Sequence, residues 1–253
     1  MLKQKFSEFQ IIYKFFEALK LPPNKCVMVD VGAQIGLWTV PYPRLGWQVI
    51  AFEASPTNFK MLLDKTKSFP NVTPLNKAIG DENADNVKFY YSEEYIGINS
   101  LKTNHAQLSQ DKFALVEMVT LGTELAINKV KNVNLLKIDI EGADLLALKG
   151  FDFTRYHPDL IVCEYGGRSK SFDYTYQDLV AFGQAEGYDI YASSWESGKN
   201  WKIGDKPMEH KLISFGRYSS SKHLNWGDII FVSPEKSGIF DSLFDCFNRP
   251  VAK

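Results

Sequence analysis

Val27-Met28-Val29-Asp30-Val31-Gly32-Ala33-Gln34-Ile35-Gly36 decides the fold. An apolar, β-branched run meets an acid, then a small-residue turn, then the start of an amphipathic segment. That order reads as a strand entering a tight loop and a helix N-terminus. Gly32 and Gly36 let the backbone pass close to a ligand where a Cβ would intervene. The pattern repeats downstream. Gln48–Glu53 reads as a second strand, and Ser55-Pro56 as the N-cap and first residue of a helix carrying Phe59, Leu62 and Leu63. Asn71–Ile79 reads as a third strand ending in Gly80-Asp81. Such β-α-β-α-β alternation predicts a parallel sheet with helices on both faces.

The flanking sequence extends this unit. Phe9, Ile12, Tyr13, Phe16 and Leu19 recur at helical spacing over residues 6–19, and Leu21-Pro22-Pro23-Asn24 stops that helix. Val87–Tyr91 and Phe113–Leu121 read as extra strands around a polar loop, 92–112. A helix over 122–131 leads to a fourth strand, Leu135–Ile140, and a helix over Glu141–Lys149 ended by Gly150. The fifth strand is Asp159–Tyr165, followed by a helix over Tyr174–Glu186 and two last strands, Tyr188–Ala192 and Asp228–Val232. The expectation is an α/β fold with seven strands, mostly parallel, in one domain over 1–253. Residues 1–24 form a helical cover and 25–233 the core, with a polar-aromatic excursion at 193–227 and a tail at 234–253. Ile239, Phe240, Leu243, Phe244 and Phe247 give the tail an amphipathic pattern. Packing onto its own core is the first reading, and a homodimer contact is the alternative.

Composition bounds the function. The 253 residues are 45% hydrophobic, enough for one sizeable core. With 29 basic and 30 acidic residues the net charge is −1, which excludes a broad nucleic-acid footprint. The opening MLKQKFSEFQ lacks a signal-peptide core, and no run approaches the ~20 apolar residues that span a bilayer. Cys26, Cys163 and Cys246 are odd in number and far apart, so they read as free thiols in a reducing compartment. A cytoplasmic location follows as an expectation. No Cys/His spacing resembles a zinc site, and no metal is expected.

Ligands of open parallel sheets bind beyond the carboxyl ends of the strands. Those ends here carry Asp30, Glu53, Asp139 with Glu141, and Glu164. Acids gathered on one edge repel one another, and a cationic or hydroxyl-rich ligand relieves that. Glu53 stands 21 residues after Gly32, where a carboxylate can accept both hydroxyls of an adenosine ribose. The nicotinamide fingerprint G-x-G-x-x-G is absent, since the turn reads Gly32-Ala33-Gln34-Ile35-Gly36. Asp30 disfavours a pyrophosphate and suits a ligand bearing an ammonium and a sulfonium.

Asp30-Val31-Gly32-Ala33-Gln34-Ile35-Gly36 resembles the first motif of class I S-adenosylmethionine-dependent methyltransferases, and Ala51-Phe52-Glu53-Ala54-Ser55-Pro56 their second. Leu136-Lys137-Ile138-Asp139-Ile140-Glu141-Gly142-Ala143-Asp144, followed by Gly150, is similar to the signature of the FkbM family within that class. Asn76–Asp81, Asn99-Ser100-Leu101 and Val119-Thr120-Leu121 add weaker matches. Gln34 stands where that family usually has Asn, Ala54 where Pro is frequent, Gly122 where an acid follows Thr-Leu, and Asp144 where Glu is common.

The resemblance implies a Rossmann-like class I methyltransferase fold and S-adenosyl-L-methionine as cofactor. It implies that Asp30, Gly32, Ala33 and Gly36 line the methionine part, that Glu53 with Ala54 holds the ribose, and that Ile79 and Asp81 lie near the adenine. Asp139 stands where cofactor and chemistry meet. Asp139, Glu141, Glu164 and His105 are candidate general bases, with Lys137 on the same strand face as Asp139 to orient or neutralise the acids. Glu164 is also a candidate substrate ligand. Trp195, Trp201, His210, Phe215, Arg217, Tyr218 and Trp226 fill the 193–227 excursion. Aromatic faces beside polar groups suit a sugar or ring-bearing metabolite, with Trp195 and Arg217 as substrate contacts; a hairpin packed on its own aromatics is the plainer reading.

The expected activity is O-methylation of a hydroxyl on a saccharide or secondary metabolite, with a small-molecule or glycan acceptor as the partner. The rivals are N- or carboxyl-methylation of a peptide or small amine, and a non-catalytic cofactor-binding protein.

Overall fold

The computed structural model describes residues 7–103, 105–196, 210–221 and 223–248. Helix α1 (Glu8–Leu19) leads to β1 (Val27–Val31), short α2 (Pro41–Arg44), β2 (Gln48–Phe52) and α3 (Pro56–Thr66). Strands β3 (Val72–Leu75), β4 (Ala78–Ile79), β5 (Ala84–Tyr90) and β6 (Phe113–Val119) precede α4 (Leu121–Ile127). Then come β7 (Leu135–Ile138), α5 (Asp144–Lys149), β8 (Leu160–Tyr165) and α6 (Tyr176–Ala185). The chain closes with β9 (Asp189–Glu196), β10 (Lys211–Arg217), β11 (Gly227–Val232) and α7 (Pro234–Asn248).

The main sheet runs β10-β9-β11-β8-β7-β1-β2-β3. Its β8-β7-β1-β2-β3 half is parallel, while β11 is antiparallel to both β8 and β9. The strand order reverses between β1 and β7, which sets a ligand crevice over their carboxyl ends. All five residues of β1 are buried, as expected of a strand covered on both faces. Val29 and Val31 pack with Leu136 and Ile138 on one face. On the other face, Met28 packs with Leu135, Val162 and Tyr191 under α1 and α7. The tail helix joins that layer, with Phe240 edge-on to Phe15 at 5.6 Å.

Two expectations are corrected. The sheet has eight strands, not seven, because Lys211–Arg217 from the excursion pairs antiparallel with an extended β9. Phe215 on that strand packs against Phe244 at 5.2 Å, so the added strand shares the core of α7. That part of the excursion is the plain hairpin; Trp201 lies outside the described residues. The third predicted strand is two. Val72–Leu75 edges the main sheet, where Pro74 needs no outward donor. The chain then crosses over, because the Asn76 side-chain amide donates to the carbonyls of Glu53 (2.7 Å) and Ala54 (3.2 Å). Ala78–Ile79 joins β6 and β5 in a separate three-stranded sheet.

Candidate active site

A cavity of about 300 Å³ opens over the carboxyl ends of β1, β2, β7 and β8. Polar and charged side chains are a minority of its lining, and its size is at the lower end for small-molecule sites. The segment after β5 roofs it through Ile96, Gly97, Asn99 and Leu101.

One end is built from backbone. Gly32 has φ +77°, and a Cβ there would stand 1.9 Å from the Asp139 carbonyl oxygen, so only glycine fits. The N–H groups of Gly32 and Ala33 donate to the Phe52 carbonyl at 3.0 and 2.9 Å, tying the turn to β2. The next N–H, on Gln34, donates to Glu53 Oε2 at 2.7 Å, and the Ser55 N–H donates to Glu53 Oε1 at 2.8 Å. Glu53 is thus a buried carboxylate aimed by two main-chain donors. Burial pushes its carboxyl up to about 7, against the pull of those two bonds and of Lys137. Gly32, Ala33, Glu53, Ala54 and Ile79 all line the cavity.

Three cofactor candidates sit elsewhere. Asp30 is fully buried beneath the wall, where Thr39 Oγ1 donates to it at 2.6 Å and Lys137 Nζ lies 3.5 Å away. It braces the turn from below and is not part of the cavity lining, because β1 alternation aims it at the α1 layer. Gly36, at φ +84°, donates to the Ala33 carbonyl at 2.7 Å and closes the turn off the wall. Asp81 is exposed after the short β4 and does not reach the wall.

The other end is built from side chains. Lys137 is buried opposite Asp30 in the β1–β7 register. Its Nζ donates to the Gly32 carbonyl at 3.0 Å and lies 3.4 Å from Asp139 Oδ2. Burial by itself lowers the ammonium pKa; the Asp139 and Asp30 carboxylates outweigh it and keep Lys137 charged. Trp226 Nε1 donates to Glu164 Oε1 at 2.8 Å. Burial, then the carboxylates of Asp139 and Asp144, push the Glu164 carboxyl well above the ordinary range. Glu141, at φ +58°, is ion-paired with Arg168. Asp139, Glu141, Glu164 and Lys137 all line the cavity.

The structure qualifies the expectation of no metal ligand set. Oxygens of Asp139, Glu141 and Glu164 lie within 4.8 Å of one another, close enough for a cation.

The remaining candidates are not on the wall. His105 lies in the loop after β5, its Nδ1 accepting from the Gln107 N–H at 3.4 Å. Trp195 Nε1 donates to Glu8 on α1. Arg217 is held by Asp241 at 2.8 Å and Asp189 at 3.3 Å, bracketing β10, β9 and α7. Sequence reasoning missed Arg168 and Asn58. Arg168 follows β8 in a 3-10 helix, Gly167–Phe172, that carries no motif. Asn58 had a visible signal, three residues after the N-cap Ser55 whose Oγ accepts its N–H.

A cleft that joins a glycine turn, a buried acid after the second strand and a carboxylate cluster at a strand-order reversal defines a class of Rossmann-like cofactor domains. The methyltransferase FkbM domain matches residues 30–190, and the chain belongs to that family. Methyltransferase 1 of Beauveria bassiana is 30% identical over 159 residues, covering 55% of this chain and 63% of that protein. The match thus spans less than two thirds of that relative. Among solved structures, precorrin-6y C5,15-methyltransferase of Geobacter metallireducens overlays with a TM-score of 0.44 at 13% identity, covering 92% of this chain and 94% of that one. A TehB-like SAM-dependent methyltransferase of Corynebacterium glutamicum overlays at 0.39 and 11% identity, covering 91% and 90%. Family membership rests on the domain match. No helix among the described residues is long and apolar enough to cross a membrane.

Proposed function

We propose that the protein is an S-adenosylmethionine-dependent methyltransferase that methylates a hydroxyl of a saccharide or secondary metabolite. One observation carries the cofactor reading: the Glu53 carboxylate is fixed at the cavity wall by the N–H groups of Gln34 and Ser55, beside the Gly32 turn. That donor set leaves lone pairs on both oxygens for the two hydroxyls of a ribose, so the residues fit a nucleoside. Ile79 and Phe89 offer an apolar wall suited to a base. Gly32 and Ala33, small and tied to β2, would let the amino-acid end lie close against the turn, with the charge of Lys137 balanced beneath it.

The bound cofactor supplies a methyl group already activated on a sulfonium. The chain's part is therefore alignment, which contributes roughly 7–11 kcal/mol in well-oriented reactions. A hydroxyl also needs a base, worth about 10²–10⁴-fold. Asp139 is the best placed of the candidates: it lines the cavity, its side chain is 41% exposed, and it bears on the turn through Lys137. Glu141 is engaged by Arg168. The raised Glu164 carboxyl suits a hydrogen-bond donor to the acceptor's oxygen.

N-methylation of an amine is the second reading, favoured by the three clustered carboxylates. Calorimetry with S-adenosylhomocysteine and with NAD tests the cofactor: binding of NAD alone ends this reading. Labelled methyl transfer to sugar, lipid-glycan, peptide and polyketide pools then tests the acceptor, and a product methylated on nitrogen replaces the hydroxyl reading.

A further inference from the structure

Asn58 carries a buried acceptor that the fold leaves unanswered. It sits in the first turn of α3, 1% exposed, on the cavity wall. Its Nδ2 donates to the Ile96 carbonyl at 3.0 Å. A carbonyl only accepts, so the amide must turn Nδ2 toward it; the flipped amide would set two oxygens against each other. Oδ1 is thereby fixed, and it has no hydrogen-bond partner among the described residues. Buried polar atoms are nearly always paired, and an unpaired one costs free energy that a ligand donor recovers.

The position of the amide points to which donor. The Ile96 carbonyl also accepts from Gln34 Nε2 at 3.4 Å, and the Gln34 N–H is one of the two that aim Glu53. Asn58 is thus one shared carbonyl away from the ribose acid. The apolar wall of Ala78 and Phe89, suited to the base, comes from the other sheet. We propose that Asn58 is a second ribose-binding residue, its Oδ1 accepting from one hydroxyl while Glu53 accepts from the other. This rests on the nucleoside reading above. It also makes the amide a latch, because the group that grips the ribose holds the roof at Ile96. A carboxylate and an amide oxygen that each accept from one hydroxyl would exclude nucleotides phosphorylated on either hydroxyl.

The test is calorimetry of S-adenosylhomocysteine and its 2′-deoxy and 3′-deoxy analogues with wild type and Asn58→Leu. The variant is expected to bind the parent ligand about tenfold more weakly. Against one of the two analogues, variant and wild type should bind within about twofold, since the interaction is already gone. An unchanged affinity for the parent ligand overturns the assignment. So does a tenfold deficit that persists against both analogues. Where Asn58→Leu does not fold, Asn58→Ala reads the same ratios without added bulk. Wild type that binds no S-adenosylhomocysteine refutes the cofactor reading and this inference with it; wild-type binding with an indifferent Asn58 variant sinks this inference alone.

Discussion

Glu53 and Glu164 are both acids near the carboxyl end of a strand, and both line the same cavity. Their surroundings differ in kind. Glu53 is oriented by two main-chain N–H groups from residues of the adjoining turns. Glu164 is held by an indole N–H from Trp226, 62 residues further along the chain, and faces Asp139 and Asp144. A carboxylate held by backbone is fixed once the turn has formed. One held by side chains depends on every segment that supplies them. The Glu53 end of the cleft is therefore rigid, and the Glu164 end a surface that substitution can reshape.

The comparison can be broken by mutation, starting with the largest effect. Asp139→Asn should lower turnover by about 10²–10⁴-fold while S-adenosylhomocysteine affinity stays within about twofold. Steady-state kinetics beside calorimetry checks this, and equal loss in both would make Asp139 a cofactor or folding residue. Gly32→Ala forces a Cβ onto the Asp139 carbonyl at a positive φ, and should destabilise the fold by about 3–5 kcal/mol. Chemical denaturation reads it; a near-normal midpoint would mean the turn is not rigid.

Glu53→Ala at pH 8 should cost about 2–4 kcal/mol of cofactor affinity through lost charge-assisted bonds. Unchanged binding by a folded variant rules out the ribose role. A milder form of the same test uses pH. Burial raises the Glu53 carboxyl from 4.5 to about 7, so the free protein keeps this proton between those values. Its stability accordingly falls as pH rises from 4.5 to 7. Hydroxyl donors need the ionised form, so affinity should rise about tenfold from pH 6 to pH 8, with proton release on binding near pH 6. Calorimetry in buffers of different ionisation enthalpy measures that proton. A flat profile would place the carboxylate outside the contact. The smallest effect is at Arg217, half exposed on β10. Arg217→Ala should change stability by at most about 1 kcal/mol and leave turnover alone; a large loss of turnover would return it to the acceptor site.

The same difference explains what could be read in advance. Strand, turn and helix around Gly32, the acid Glu53 after the second strand, and Asp139, Glu141 and Glu164 near the crossover are all local patterns, and all five residues reach the cavity region. Asp30 was legible as an acid at a strand end but not as a brace, because its role depends on the register that sets it opposite Lys137. Arg217 is explained by Asp241, which sits on a helix whose docking no local pattern fixes. The break between β3 and β4 turns on one Asn76 amide reaching back to the Glu53 carbonyl. Trp226 is legible as an aromatic of the excursion, yet its use as the donor to Glu164 needs the β8–β11 pairing.

The contact between Gly32 and the Asp139 carbonyl has a consequence for how such a protein diversifies. The Asp139 N–H also donates to the Val31 carbonyl at 3.0 Å, so the two motifs are joined main chain to main chain. The gap between the two ends of the cleft is thus a bond-length quantity, a fixed gauge set by the sheet. No side-chain exchange stretches it. A change of acceptor has to come from the parts mounted around the gauge: the Ile96 roof, Arg168, and the strand end that carries Trp226.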